Sequence, residues 1–175
     1  MPIHPYRGVV PKLGERVFLA PGAHLTGDLE VGDDSSFWFH TAVRGDVHRI
    51  RIGARTSVQD GTILHVTHLV HPLTIGDDVV IGHGAIVHGC TLESGCLVGI
   101  GARVLDGAVV EPGAMVGAGT VVAPGTRIAS GTLVLGVPAR KVRELTDAER
   151  DGILEIAKRY VEVKDRYLAD LGRGY

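Results

Sequence analysis

The sequence predicts a mainly β chain, coiled from short strands and tight turns and followed by one long C-terminal α-helix. Three observations predict it. An aliphatic residue recurs at every sixth position, a second register four residues further on is small, and glycine is abundant while aromatic residues are scarce. The 175 residues include 25 Gly, about twice the usual share, and aromatics make up 5% against 45% hydrophobic residues overall. A core with so few rings must be built from Val, Ile, Leu and Ala, and the glycines read as turns.

The aliphatic register runs Leu13, Leu19, Leu25, Val31, Phe37, Val43, then Ile52, Val58, Leu64, then Ile75, Ile81, Val87. After a step of five it continues Leu92, Val98, Val104, Val110, Val116, Val122, Ile128, Val134. The small register includes Ala23, Ser35, Thr41, Thr56, Thr62, Ala85, Cys96, Ala102, Ala108, Ala114, Thr120 and Thr132. A six-residue period is neither helical nor that of a long alternating strand. It fits a short strand and a tight turn, repeated, with the aliphatic residue inside each face and the small one in the corner. Gly and the pairs Asp33-Asp34 and Asp77-Asp78 supply the turns. Each coil then buries its face against the coils above and below.

This pattern, across about residues 13 to 137, resembles the hexapeptide-repeat proteins. The resemblance implies a left-handed parallel β-helix, a triangular prism with three units per coil. The handedness belongs to the resemblance, since the general preference for crossovers is right-handed.

After Gly136-Val137-Pro138-Ala139 the period changes. Thr146-Asp147-Ala148-Glu149 is a capping box. Ile153, Ile156, Tyr160, Val163 and Tyr167 form an apolar helical stripe, and Gly172 is a plausible stop. The spacing predicts one helix of about 25 residues, packed along the outside of the prism or against a neighbouring subunit. The expected division is 1–145 for the β-helix with its lead-in and 146–175 for the helix and tail.

A net charge of -2 argues against a general attraction to nucleic acid or an anionic membrane. No apolar stretch approaches membrane-spanning length, and Met1-Pro2-Ile3-His4-Pro5-Tyr6-Arg7 lacks the pattern of a secretory signal. Cys90 and Cys96 make neither a metal motif nor a disulfide framework and read as small buried residues. A cytoplasmic protein in a reducing compartment is expected. Gly99-Ile100-Gly101-Ala102 is a repeat unit without the strand-loop-helix setting of a nucleotide loop.

Within this repeat, Gln59 to Cys90 carries three histidines at related offsets. The units starting at Ile52, Val58 and Leu64 make one coil, and those at Ile75, Ile81 and Val87 the next. His65 and His88 are each the second residue of a third unit, so they stack with backbones about 4.8 Å apart. His83 belongs to the previous face. A three-fold homotrimer would bring it to the His65/His88 face of a neighbour, one site per interface. Asp60 lies one coil from His83, with Gln59 beside it, and Arg44 shares the His65 column. His68 and His71 lie on a small outward loop. His4, His24, His40 and His48 show no such register and read as surface or packing residues. Tyr160 and Tyr167 lie on the helical stripe, where packing is the default reading. Three neutral imidazoles with an open fourth position suit Zn²⁺, with Fe²⁺ and Co²⁺ as alternatives.

Arg44-Gly45-Asp46, Gln59-Asp60 followed by His65, and His83 with His88-Gly89-Cys90 resemble the gamma-class carbonic anhydrases and their relatives. The resemblance implies a metal held by His65, His83 and His88 across a trimer interface. It implies an interfacial ion-pair network of Arg44, Asp46 and Asp60, with Arg44 also binding bicarbonate. Gln59 would hydrogen-bond the metal-bound hydroxide, and Tyr160 would lie near the site. Zinc lowers the pKa of bound water to about 7, a value established for carbonic anhydrase itself.

The best-characterised carbonic anhydrases of that class carry an acidic loop with a glutamate proton shuttle after the first ligand histidine. Here the loop reads Val66-Thr67-His68-Leu69-Val70-His71-Pro72 and has no carboxylate, and His68 or His71 is a candidate substitute. Val47 and Ser57 also depart from the class, standing where it carries a glutamate and an asparagine. The expected activity is a zinc lyase interconverting CO₂ and bicarbonate. The alternatives are a hexapeptide-repeat acyltransferase, a hydrolase of CoA thioesters, and a non-catalytic metal-binding scaffold subunit.

Overall fold

A computed structural model describes residues 2–171. It is a left-handed parallel β-helix of about seven turns with a single C-terminal helix. The expected stop at Gly172 lies outside the described residues.

Most strands are two or three residues long, as a six-residue unit requires. One face stacks Phe18–Leu19, Ser36–Phe37, Ser57–Val58, Val80–Ile81, Leu97–Val98, Met115–Val116 and Thr132–Leu135 in parallel. An antiparallel strand, Arg140–Glu144, closes that stack. The second face carries Ile63–His65, Ile86–His88, Arg103–Val104 and Val121–Val122. The third carries Leu73–Ile75, Thr91–Leu92, Val109–Val110 and Arg127–Ile128. Two longer strands, His24–Val31 and Ala42–Ile52, bend round the corner and join the second and third faces.

The aliphatic register is the core. Leu19, Leu25, Phe37, Val58, Leu64, Ile81, Val87, Leu92, Val98, Val104, Val110, Val116 and Val122 are all 0% exposed. The small register fills the corners, and its hydroxyls tie successive coils together. Ser35 Oγ donates to Gly53 O (2.8 Å), Thr56 Oγ1 to Gly76 O (2.9 Å) and Thr62 Oγ1 to Gly82 O (3.1 Å). The Asp-Asp turns place Asp34 and Asp78 at φ of 58° and 57°, a left-handed conformation that Asp tolerates better than most residues.

The scarce aromatics are concentrated outside the prism. Phe18, Trp38, Phe39, Tyr160 and Tyr167 are five of the eight rings in the sequence, and they form the seam between the first face and the helix Asp147–Leu171. Trp38 meets Tyr160 and Tyr167 edge-on at 5.6 and 5.2 Å between ring centroids, and its indole N–H reaches Ser36 Oγ and Ser57 Oγ, both at 3.1 Å. The helix therefore packs on its own chain. It opens with the expected capping box: Thr146 N donates to Glu149 Oε2 (2.9 Å) and Glu149 N to Thr146 Oγ1 (3.2 Å).

The helix runs along the stack from the last coils to the first. Leu145 N bonds Gly131 O, Leu154 lies over Gly95, Tyr160 meets Trp38, and Tyr167 meets Phe18. The apolar stripe gave no sign of Lys164, which is fully buried. Its ammonium pairs with Asp34 Oδ1 at 2.9 Å and also contacts Asp165. Arg16 completes the cluster through Nε to Asp34 Oδ1 (2.8 Å). The hydrogen bond from Arg16, helped by Lys164, outweighs burial and holds the Asp34 carboxyl below its ordinary range.

Two outcomes follow for unfolding experiments. Leu92→Ala leaves a void in the prism and should cost about 2–5 kcal/mol in denaturant titration. Asp34→Asn removes the charge facing a buried ammonium and should cost about 3 kcal/mol. The folded-state pKa of Asp34 is depressed, so its contribution is present above the unfolded value of about 4 and is lost as acid carries the pH below it. The wild type should therefore lose stability in that acid range more steeply than Asp34→Asn, as measured by thermal melts across pH.

Candidate metal centre

Coil-to-coil pairing fixes where each histidine stands. Ile86, Val87 and His88 pair in register with Ile63, Leu64 and His65, and Val43 pairs with Leu64, which brings Arg44 into the same column. The column continues upward through Thr26 to His4. His4 thus stands in the His65 column, which the sequence reading did not expect, whereas His24 pairs with Ala42, off that column, and is exposed as expected of a surface residue. His4 Nε2 lies 2.9 Å from His24 Nδ1 on the same face. The sequence pattern missed this because the lead-in strand Ile3–His4 lies outside the six-residue count.

His65 Nδ1 faces His88 Nε2 at 3.0 Å, with ring centroids 5.0 Å apart. Their other nitrogens each meet a carboxylate: His65 Nε2 lies 3.1 Å from Asp46 Oδ1, and His88 Nδ1 lies 2.6 Å from Asp106 Oδ1. Arg44 pairs with the second oxygen of Asp46. Arg44, Ile63, His65 and His88 line a cavity of about 260 Å³.

The electrostatics favour a neutral imidazole. Burial, aided by the charge of Arg44, lowers the His65 pKa despite its bond to Asp46. Burial opposes ionisation of Asp46, but hydrogen bonds from Arg44 and His65 outweigh it and leave the carboxyl below its ordinary range. Asp106 behaves alike, with burial outweighed by hydrogen bonds from His88 and Thr67.

When the outer N–H groups of a neutral pair donate to Asp46 and Asp106, the inner nitrogens turn lone pairs towards each other at 3.0 Å. Lone pairs that close repel unless a cation lies against both. Two nitrogens bound to one tetrahedral zinc at about 2.0–2.1 Å stand about 3.3 Å apart. The donor pair therefore fits one edge of such a coordination shell, and the carboxylates behind it match the usual support of metal-bound histidines.

His83 stands elsewhere, on the turn after Val80–Ile81, at the opposite edge of the second face. Its Nδ1 lies 2.8 Å from Asp60 Oδ2, one coil earlier at the same offset. Gln59 and Tyr160 line an adjoining groove of about 610 Å³ between the helix and the first face, with Leu97, Ile100 and Met115. Burial, reinforced by Asp60, pushes the Tyr160 phenol above its ordinary pKa.

Thus Arg44 and Asp46 join His65 and His88, while Gln59, Asp60 and Tyr160 gather near His83. The expected Arg44–Asp46–Asp60 network is not joined within one chain. Among the described residues of one chain, no group of three or more His, Cys, Asp or Glu side chains is placed to hold a metal.

The sequence reading missed Asp106 and Thr67. Val104 pairs with Val87, so Leu105 occupies the His88 column and Asp106 reaches in from the following turn, one position off the count. The 66–72 loop is less detached than expected. Val66 is buried, Leu69 N bonds Val47 O, and Thr67 bridges back to His71, while His68 is exposed.

No family model matches the chain. Protein YrdA of Escherichia coli K12 is 45% identical over 172 residues, covering 95% of this chain and 94% of that protein. A carbonic anhydrase of Geobacillus kaustophilus is 41% identical over 167 residues, covering 95% and 91%. The solved structure of a hexapeptide transferase family protein from Anaplasma phagocytophilum superimposes with a TM-score of 0.91 at 37% identity, covering 95% and 98%.

The surroundings of Tyr160 set a spectroscopic expectation. An ultraviolet titration of the folded protein should show a tyrosine that ionises above the ordinary range of about 10, and Tyr160→Phe should remove that component.

Proposed function

Because the chain belongs to the gamma-class carbonic anhydrase-like family of hexapeptide-repeat proteins, we propose that it interconverts CO₂ and bicarbonate at metal centres shared between the chains of a homotrimer. The observation that supports this best is the His65/His88 pair, whose inner nitrogens face each other while carboxylates hold the outer ones. In this reading His65 and His88 of one chain and His83 of the next hold the ion. Zinc is the first choice, with iron or cobalt accepted by the same donors, and its acidity when bound is what makes hydroxide available at neutral pH.

The chain's own groups then have separate tasks. Asp46 and Asp60 hold the outer nitrogens of His65 and His83 and so fix which nitrogen points inward. Arg44 places a guanidinium beside the pair, where it attracts bicarbonate, and Asp46 restrains it. The Gln59 amide can donate and accept, and from the neighbouring chain it orients the oxygen that adds to CO₂. Tyr160, beside Gln59, closes the groove and limits water. No carboxylate lies between Val66 and Pro72, so His68 or His71 is the group in this loop that takes a proton outward.

A second reading is acyl transfer or CoA-thioester hydrolysis. It is favoured by the likeness to the hexapeptide transferase family protein and by the apolar groove beside Gln59. CO₂ hydration by anaerobically purified, metal-loaded protein, abolished by chelation, supports the first reading. Loaded protein with no rate above background, and turnover of acetyl-CoA instead, would favour the second.

Sharing between chains has its own test. His83→Ala and His88→Ala trimers should each be inactive. Unfolded together at equal ratio and refolded, they should recover about a quarter of wild-type activity, because one lesion spares each contribution to a site. No recovery above the separate variants would place the centre within one chain.

A further inference from the structure

Three carboxylates stand behind the three histidines, and one of them, Asp106, belongs to no motif that led to the site. It reaches His88 from the turn after Arg103–Val104, one coil beyond the histidines. We propose that Asp106, clamped by Thr67, is the positioning residue that fixes the tautomer and ring orientation of His88, so that the 66–72 loop sets how tightly the centre holds its metal. This deepens the metal-centre reading and rests on it.

Both oxygens of Asp106 are engaged. Oδ1 lies 2.6 Å from His88 Nδ1, and Oδ2 accepts from Thr67 Oγ1 at 2.7 Å. A carboxylate bonded in two directions cannot swing. It accepts the Nδ1–H of His88, which leaves the lone pair on Nε2, the nitrogen that faces His65. A free imidazole would exchange tautomers and rotate.

The clamp is itself anchored. Thr67 N bonds His71 O at 3.1 Å, and the Thr67 carbonyl accepts from Val70 N and His71 N at 3.2 and 3.3 Å, so the loop closes on the residue that carries the hydroxyl. Gly107 N bonds Gly89 O at 2.8 Å and pins the Asp106 turn to the residue after His88. The absence of a side chain at Gly89 makes room: a Cβ there would strike Asp106 Oδ1 and stand 2.8 Å from His71 Cβ. The Gly89 φ of +50° suits glycine for the same position. The next turn on the same corner, Ala123-Pro124-Gly125, closes without such a carboxylate, with Gly125 N bonded to Asp106 O at 2.8 Å. The geometric effect of the Asp106 carboxylate is to aim one imidazole nitrogen.

The test is zinc affinity by competition with a chelator, together with the visible spectrum of the cobalt-substituted protein. Neither depends on turnover. Removing a carboxylate behind a metal-bound histidine typically weakens affinity 10–100-fold, so Asp106→Ala should lose about that much and shift the cobalt bands. Asp106→Asn keeps an acceptor without the charge and should fall between. Thr67→Val should weaken binding in the same direction by a smaller factor, and Thr67→Ser should restore it.

Melting of the metal-free proteins separates this from a structural role. Variants that melt lower but bind zinc as tightly as wild type, with unchanged cobalt bands, overturn the proposal and leave the metal centre standing. A wild-type protein that binds no zinc or cobalt overturns both. If Asp106→Ala fails to fold, the Asn, Val and Ser variants decide the matter.

Discussion

Register between coils is the constraint on which the rest of this structure depends. In a strand, a slip of one residue turns every side chain to the opposite side. Here such a slip would expose Leu64 and Val87 and bury His65 and His88. The aliphatic core holds the register with many small contributions, and the parallel ladder transmits it from coil to coil. The imidazole pair is thus positioned by residues that do no chemistry. Each unit is short and closed by its own turn, so a local insertion such as 66–72 bulges outward without disturbing the columns beside it.

The polar side of the design follows one rule. Asp46, Asp60 and Asp106 each meet one nitrogen of a histidine. An imidazole has two ring nitrogens and, when neutral, one proton, so holding one nitrogen defines the other. Burial favours the neutral form of His65, and hydrogen bonding favours the ionised forms of Asp46 and Asp106 against their own burial. In the proposed reading, this is how the site would offer lone pairs backed by negative charge to a cation.

Much of this was legible in the sequence because a repeat converts position into location. Counting by six was enough to stack His88 on His65, to bring Arg44 into their column and to set Asp60 beside His83. The count failed outside its columns. His4 comes from a lead-in strand, and Asp106 lies in a regular unit but one residue beyond the His88 column, which Leu105 occupies. Lys164 was illegible for a different reason. A helical stripe records apolar residues, whereas the need for a buried ammonium arises only when Asp34 from a distant coil is placed against it. Gln59 and Tyr160 illustrate a third limit: their proximity needs both the prism and the docked helix, and neither period alone contains it.

A stack of coils held only by neighbours behaves as a one-dimensional array, which can fray from either end. The C-terminal helix changes that. At about 1.5 Å per residue its 25 residues span roughly 37 Å, and it reaches Gly131 through Arg150 near one end and Phe18 through Tyr167 near the other. It is a tie-rod. Loosening the first coils must pull on Lys164 and Tyr167, and loosening the last must pull on the capping box, so separate fraying motions become one cooperative event. The rod is also made after every coil it spans. The growing chain can stack its coils in order, but they gain shared stability only when Asp147–Leu171 arrives.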